Sequence, residues 1–454
     1  MAVSPPLPQA SSSPRALSVT ALWLDRQPRA ILVLWAVFAA FTTYACMYAF
    51  RKPFTAAAFD GLTVGPFDYK TVAVLGQLLG YMLSKFIGIK VASEAKPWQR
   101  AAMILAFIGI AELALVLVGL VPPPWNVFCL FINGLPIGMV WGLVFGFLEG
   151  RRVSEFLILG LSVSVIFSSG WVKAVGKWVM ENGYASQFWM PALTGALFLP
   201  LLLLAVWMLS QLPPPDAKDI EHHSKRQPMD REARRQFLRQ HGLGVVLLTL
   251  GYMCFMAYRD LRDSFQVNIM RNLGVEMRAE DFANWENFVG LTVIAGMIGL
   301  WFFRGNRAAV IANVVLISFG AISLGLLALL FEAHKISPKA LMIGTGISLY
   351  LAYVPFQSIL YDRLIAGLRS GGTAVFLMAI GDSFGYLSSV GLYLYQKIFP
   401  VLIGYDVPEH WSDVFLNASK AMALVVPLVM TAALLYFLRH FKDGKEPVVD
   451  GAVK

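Results

Sequence analysis

The residues best suited to chemistry in this chain are charged and phenolic side chains set inside apolar stretches. In "TYACMYAFRKPF", residues 43–54, Tyr44, Tyr48 and Arg51 follow at intervals of four and three, which puts them on one face of a helix. In "GQLLGYMLSKFIGI", Tyr81 and Lys85 are four apart and share a face in the same way. The stretch "YRDLRD", residues 258–263, crowds Arg259, Asp260, Arg262 and Asp263 together. Successive helical residues turn by about 100°, so these four cannot all point one way. Tyr353 and Gln357 flank Pro355 at a spacing of four, and Asp382 and Tyr386 repeat that spacing in "AIGDSFGYLSSVGLYLYQ". Guanidinium, ammonium and phenol groups are donors that an anion would accept from. An ionised side chain at mid-bilayer costs about 2.5–3.5 kcal/mol on insertion scales, so each needs a route to the headgroups or a wet, protein-lined cavity.

Both options stay open for each residue at this stage. Arg51 is either a snorkelling cation beside an aromatic belt or, if the helix runs on tilted through "PFTAAAF", a cation inside the protein. Lys85 precedes Lys90, the first cation of the following loop, by about 7–8 Å of helix, and either snorkels or faces a pore. Arg259 with Asp263, or with Asp260, could be a purely structural pair. Asp382 either hydrogen-bonds a neighbouring helix in its protonated form, pairs with a buried cation, or meets substrate. Lys173 and Lys177 are further intramembrane cations, and the isolated Glu112 is their candidate partner. Gly134, Gly138, Gly142, Gly146 and Gly150 recur every four residues and predict a close-packing seam, with Trp141 beside it in need of a partner for its indole N–H.

Composition dictates the elements that must position these groups. The 454 residues are 57% hydrophobic and only 14% charged, with a mean hydropathy of +0.63, more apolar than a water-facing surface tolerates. The apolar runs are each about 18–25 residues long, the length a helix needs to cross a bilayer, and they lack the alternation of a membrane barrel. Twelve runs are read at 30–50, 71–90, 101–121, 126–148, 156–179, 189–210, 243–263, 285–303, 308–331, 340–361, 374–398 and 418–438. The Pro- and charge-rich stretch 211–242 separates two sets of six and is expected to be a cytoplasmic linker. Around it the expected organisation is a disordered tail 1–28, six-helix bundles at 29–210 and 243–439, and a tail 440–454.

Lys and Arg crowd the even-numbered loops and both ends, which predicts a multi-pass protein of the cell (inner) membrane with cytoplasmic N- and C-termini. The net charge of +9 is largely this topology signal, so no nucleic-acid partner is expected. Cys46, Cys129 and Cys254 lie inside apolar runs without metal-site spacing, and the six histidines fall in the linker, loops and tail. No phosphate-binding G-x-x-x-x-G-K-[ST] loop occurs. The expectation is therefore no enzyme, no catalytic residue, no cofactor and no metal.

"YACMYAFRKPFTAA" together with "GYMLSKFIGI" resembles the first two helices of the organophosphate:phosphate antiporter family, within the major facilitator superfamily. "NGLPIGMVWG", "FFRGNRAAV" and "SGGTAVFLMAIGDSFGYLSS" resemble its fourth helix, its loop between helices eight and nine, and its eleventh helix. The resemblance implies an all-α membrane protein, twelve transmembrane helices in two pseudo-symmetric six-helix bundles. It also implies a substrate phosphate held by one arginine from each half. Arg51 matches the first, and Arg259 is the candidate for the second, with Arg262 as the alternative. Lys85 matches the family's helix-two lysine, and Tyr44, Tyr48, Tyr81, Trp141, Tyr353 and Tyr386 match aromatic cavity positions. Gln357 joins them by its spacing from Tyr353, and Asp382, Lys173 and Asp263 are candidates for coupling or ion pairing.

The chain also departs from that pattern. The family's cavity histidine has no counterpart in "LSVSVIFSSGWVKAVGKW", where Lys173 and Lys177 add cations, and neither "IKVASEAKPWQR" nor "GLWFFRGNR" has the superfamily's Asp before its basic residues. Asp382 adds a negative charge. The expected function is a monomeric secondary carrier of a small organic anion, phosphorylated or carboxylated, that works in the lipid bilayer by rocking its two halves. Phosphate or a proton is the candidate coupling ion. The alternative from another class is a transport-silent membrane sensor of a similar ligand.

Overall fold

The computed structural model describes residues 18–148, 154–213, 231–299, 305–368, 373–404, 406, 408 and 410–441. Twelve long helices dominate: α1 Arg29–Ala49, α2 Tyr69–Glu94, α3 Pro97–Leu120, α4 Asn126–Leu148, α5 Ser154–Glu181, α6 Met190–Ser210, α7 Arg231–Ser264, α8 Ala279–Ile298, α9 Asn306–Glu332, α10 Pro338–Pro355, α11 Ala374–Tyr393 and α12 Trp411–His440. On their described residues alone, eight are long and apolar enough to cross a membrane. This is a multi-pass membrane protein. Local chemistry sets several starts: Asp68 accepts from the Thr71 N–H at α2, Ser337 from Ala340 at α10, and Thr373 from Phe376 at α11.

The packing order reveals the symmetry. In the first half α1 lies on α5 and α6, α2 on α4, and α3 on α4 and α6. Adding six to each label gives the pairs of the second half: α7 on α11 and α12, α8 on α10, and α9 on α10 and α12. The halves meet along α2–α11 and α5–α8, and the same operation exchanges these two seams. Two pseudo-symmetric six-helix bundles therefore face each other across a central plane, the major facilitator arrangement.

Gly134 and Gly138 of the α4 glycine stripe form a seam with α2, while Gly146 meets the Arg100 side chain of α3. A Cβ on Gly134 would lie 2.2 Å from the Gln77 carbonyl oxygen of α2, and one on Gly80 would lie 2.1 Å from that of Phe131. This contact fixes the rotation of α2 and with it the direction of Tyr81 and Lys85. Gly150 lies outside the described residues.

α1 ends at Ala49, in line with the expected run 30–50, and a 3₁₀ turn follows at Pro53–Ala56, so of the alternatives left open for Arg51 the continuous helix is not the one taken. Pro53 explains this, since its ring would clash with the carbonyl of residue 49 and it has no N–H to continue the ladder. One expectation about helix limits is corrected: α7 begins at Arg231, within the stretch expected to be linker, because "REARRQFLRQ" is rich in good helix formers.

Arg262 resolves into a structural role. Its Nη1 lies 2.9 Å from Glu286 Oε1 and its Nη2 donates to the Met342 carbonyl at 3.1 Å, tying α7 to α8 and α10. Glu286→Ala would strand this buried guanidinium and is expected to cost roughly 3–5 kcal/mol, read as a lowered melting temperature. The double variant Arg262→Met/Glu286→Leu is expected to recover most of that loss, because removing both buried charges removes the desolvation cost.

Candidate functional site

The break at the end of α1 leaves carbonyls with no intrahelical donor. Asn133 of α4 donates to the Phe50 oxygen at 3.0 Å, and Gln77 of α2 donates to the Arg51 oxygen at 3.0 Å and to Asn133 Oδ1 at 2.7 Å. Two helices, α2 and α4, thus pin the backbone that carries Arg51. Its side chain is only 3% exposed, so the snorkelling alternative is excluded. The guanidinium carbon lies 3.8 Å above the Tyr81 ring, and Nε is buried without a hydrogen-bond partner. Among the described residues no carboxylate lies within ion-pairing distance of Arg51.

Lys85 does not snorkel either. Its Nζ lies 3.6 Å from Asp382 Oδ2 across the α2–α11 seam, and the Tyr81 and Tyr386 rings beside it are 4.6 Å apart. Arg259 donates to the Tyr353 hydroxyl at 2.8 Å and to Asp260 Oδ1 at 3.2 Å. The other Asp260 oxygen accepts from Ser389 at 2.7 Å. Tyr252 donates to Asp382 Oδ1 at 2.5 Å and lies 3.0 Å from the Tyr353 hydroxyl. Asp382 is therefore ion-paired across the halves with Lys85 and hydrogen-bonded within its own half to Tyr252.

These side chains surround a central cavity of about 20 Å³, room for a water molecule and too little for an organic anion. Tyr44, Tyr48, Tyr81, Lys85, Trp141, Arg259, Tyr353, Asp382 and Tyr386, all expected from the sequence, line it. Trp141 stacks on Phe145 with ring centroids 5.1 Å apart. Arg51 lies behind Tyr81 and lines an adjoining cavity of about 10 Å³ with Lys52, Gln77, Asp260, Ser264 and Tyr393. Gln357 belongs to a π-helical turn, Phe356–Leu360, that follows α10, and its side chain is outside the described part of the structure.

A second cluster closes the interface toward the end of the bundle that carries residues 50–70 and 264–279. Asp263 of α7 receives Lys52 at 2.5 Å and Lys173 of α5 at 2.8 Å, together with the Ser169 hydroxyl. Lys173 also donates to Gln266 Oε1 at 2.7 Å, and Lys70 donates to Asn268 Oδ1 at 2.7 Å. Of the two partners open to Arg259, it takes its neighbour Asp260 and not Asp263, because the two N-half lysines occupy both Asp263 oxygens. One expected pairing is corrected here: Glu112 meets neither Lys173 nor Lys177, since Lys177 lies 3.9 Å from Glu181 and Glu112 Oε2 has no hydrogen-bond partner.

Tyr252 and Lys70 were missed by the sequence reading, and Lys52 was noted beside Arg51 without a role. A signal for Tyr252 exists. Residues 44–51, "YACMYAFR", and 252–259, "YMCFMAYR", share Tyr, Cys, Ala and Arg at the same four positions. Tyr252 is thus the counterpart of Tyr44, as Arg259 is of Arg51, in the pseudo-symmetric helices α1 and α7.

Comparison with known proteins agrees with this architecture. Residues 53–440 match a family described as "Family of unknown function (DUF5690)". No curated protein matches the sequence. Among solved structures, a D-xylose-proton symporter superposes with a TM-score of 0.61 at 14% identity, covering 88% of this chain and 96% of that one. A point mutant of the nucleoside transporter NupG gives 0.54 at 12% identity, over 90% and 100%. A POT family transporter in complex with 5-aminolevulinic acid gives 0.57 at 11% identity, over 92% and 97%. At these identities the likeness is one of fold.

Proposed function

We propose, for a chain that belongs to the DUF5690 family and has the major facilitator fold, that it is a secondary carrier of a small organic anion working by alternating access. The observation that carries this reading is Arg51: a guanidinium 3% exposed, permanently charged, and without a carboxylate partner among the described residues. A buried unpaired charge costs several kcal/mol, and a fold keeps it where a guest completes it. Around the two cavities four cations, Arg51, Lys52, Lys85 and Arg259, outnumber two carboxylates, Asp260 and Asp382. Guanidinium forks match phosphate or carboxylate oxygens in bidentate geometry, and the tyrosine hydroxyls add donors.

The resemblance of "YACMYAFRKPFTAA" to the first helix of organophosphate:phosphate antiporters supports a phosphorylated substrate, and the cytoplasmic position proposed for the termini rests on the Lys/Arg bias of the loops. Admission of a substrate requires the cavity to widen. The π turns Phe356–Leu360 and Leu394–Ile398 interrupt the ends of α10 and α11, where helix bending can supply that movement.

Thermal-shift and counterflow assays on the purified, reconstituted protein test the reading. Glycerol 3-phosphate, glucose 6-phosphate or succinate is expected to raise the melting temperature, since ligand at 100 times its Kd adds about 2.7 kcal/mol. Uncharged glycerol and glucose are expected to do nothing. Stabilisation and exchange by the neutral compounds alone would overturn the proposal.

A further inference from the structure

The two halves meet with opposite charge. Along the interface the first half supplies Lys52, Lys85 and Lys173, and the carboxylates that answer them, Asp263 and Asp382, come from the second. The repeated octapeptide carries the same asymmetry: the residue after Arg51 is Lys52, and the residue after Arg259 is Asp260. Only the solvent-exposed rim pair Asp60–Arg271 reverses the polarity among the ion pairs described between the halves.

This matters for how the protein can cycle. If both halves presented only cations, every closure would need a guest anion to cancel their repulsion, and the carrier could turn over only by exchanging one guest for another. Here the protein's own carboxylates draw the halves together: Lys52 and Lys173 reach Asp263 at 2.5 and 2.8 Å, and Lys85 reaches Asp382 at 3.6 Å. The cavity left between them, about 20 Å³, is too small for an organic anion, so this closed arrangement is one the protein reaches on its own charges.

We infer that the carrier returns empty and so catalyses net transport of its anion, with Asp263 and Asp382 acting as built-in counter-ions in place of a returning guest. The inference rests on the carrier reading above. A guest anion arriving at Lys85 and Arg51 displaces Asp382 from Lys85; once it leaves, Asp382 closes the gap again. Asp263 does the same for the Lys52–Lys173 pair each time that end of the bundle shuts.

The test uses proteoliposomes loaded with radiolabelled glycerol 3-phosphate and diluted into buffer with or without the same compound outside, at a membrane potential clamped to zero. Efflux into anion-free buffer is expected within about threefold of the exchange rate. Asp263→Asn leaves two buried lysines without a carboxylate, so net efflux is expected to fall by about tenfold or more while exchange persists. The triple variant Lys52→Met/Lys173→Met/Asp263→Leu removes the charges altogether and is expected to restore net efflux.

Exchange without net efflux in the parent protein would overturn the inference and leave the carrier reading intact. Absence of both processes, here and with succinate as the probe, would overturn both. Loss of both processes in Asp263→Asn, unrescued by the triple variant, would reduce Asp263 to a structural role and overturn the part assigned to it.

Discussion

Arg51→Ala is expected to lower anion uptake into proteoliposomes by about two to four orders of magnitude, since losing one partner of a desolvated charge pair costs roughly 3–5 kcal/mol. The same change is expected to leave the melting temperature within a few degrees of the parent. The two outcomes belong together. Asn133 and Gln77 hold the backbone at residues 50 and 51 through its carbonyl oxygens, which survive the substitution. What disappears is a charge with no carboxylate within ion-pairing distance among the described residues, a place that a bound anion is proposed to fill. Arg51→Lys separates charge from shape: the ammonium cannot stack flat on Tyr81 or present a fork, so uptake is expected to fall between the parent and alanine values. Parental uptake by Arg51→Ala, measured at equal reconstitution, would remove Arg51 from the site.

Gly134→Val is expected to prevent accumulation of a monodisperse, folded protein, and Gly134→Ala to lower its melting temperature sharply. The added carbon would lie 2.2 Å from the Gln77 oxygen and 2.8 Å from the Tyr81 nitrogen. Both are backbone atoms of α2, so no rotamer change can relieve the clash and the helices must part. Overpacking of this kind costs about 3 kcal/mol or more, and the shift of α2 carries Tyr81 and Lys85 away from Tyr386 and Asp382. Gly109 on α3 is the control: nothing lies within 4 Å of its added carbon, and Gly109→Ala is expected to be neutral in detergent melting assays. Equal behaviour of the two alanine variants would argue against the seam.

Much of the architecture was legible because lipid imposes long apolar runs and glycine periodicity marks close helix contacts. The aromatic and cationic cavity residues were legible for a related reason, since any charge inside such a run is conspicuous. Pairing was not. "YRDLRD" offers several local partners for each charge, and the choice of Asp263 by Lys52 and Lys173 depends on three helices that are distant in sequence. Glu112 had only the α5 lysines as candidate partners, and these are claimed by Asp263 and Glu181. The end of α1 was legible in the run 30–50, while the fate of Arg51 stayed open because the apolar pattern continues beyond Pro53. Tyr252 escaped notice because it has no charged neighbour within one turn; only alignment of the two halves makes it stand out.

The segregation of lysines to one bundle and aspartates to the other has an electrical consequence. In the alternating-access cycle proposed above, these fixed charges would shift along the membrane normal as the bundles rock, and charge moved through the full transmembrane field is worth about 2.3 kcal/mol per elementary charge per 100 mV. Opposite signs on opposing bundles would turn that motion into a displaced dipole. A membrane potential is then expected to bias which side the proposed carrier faces, its empty return included.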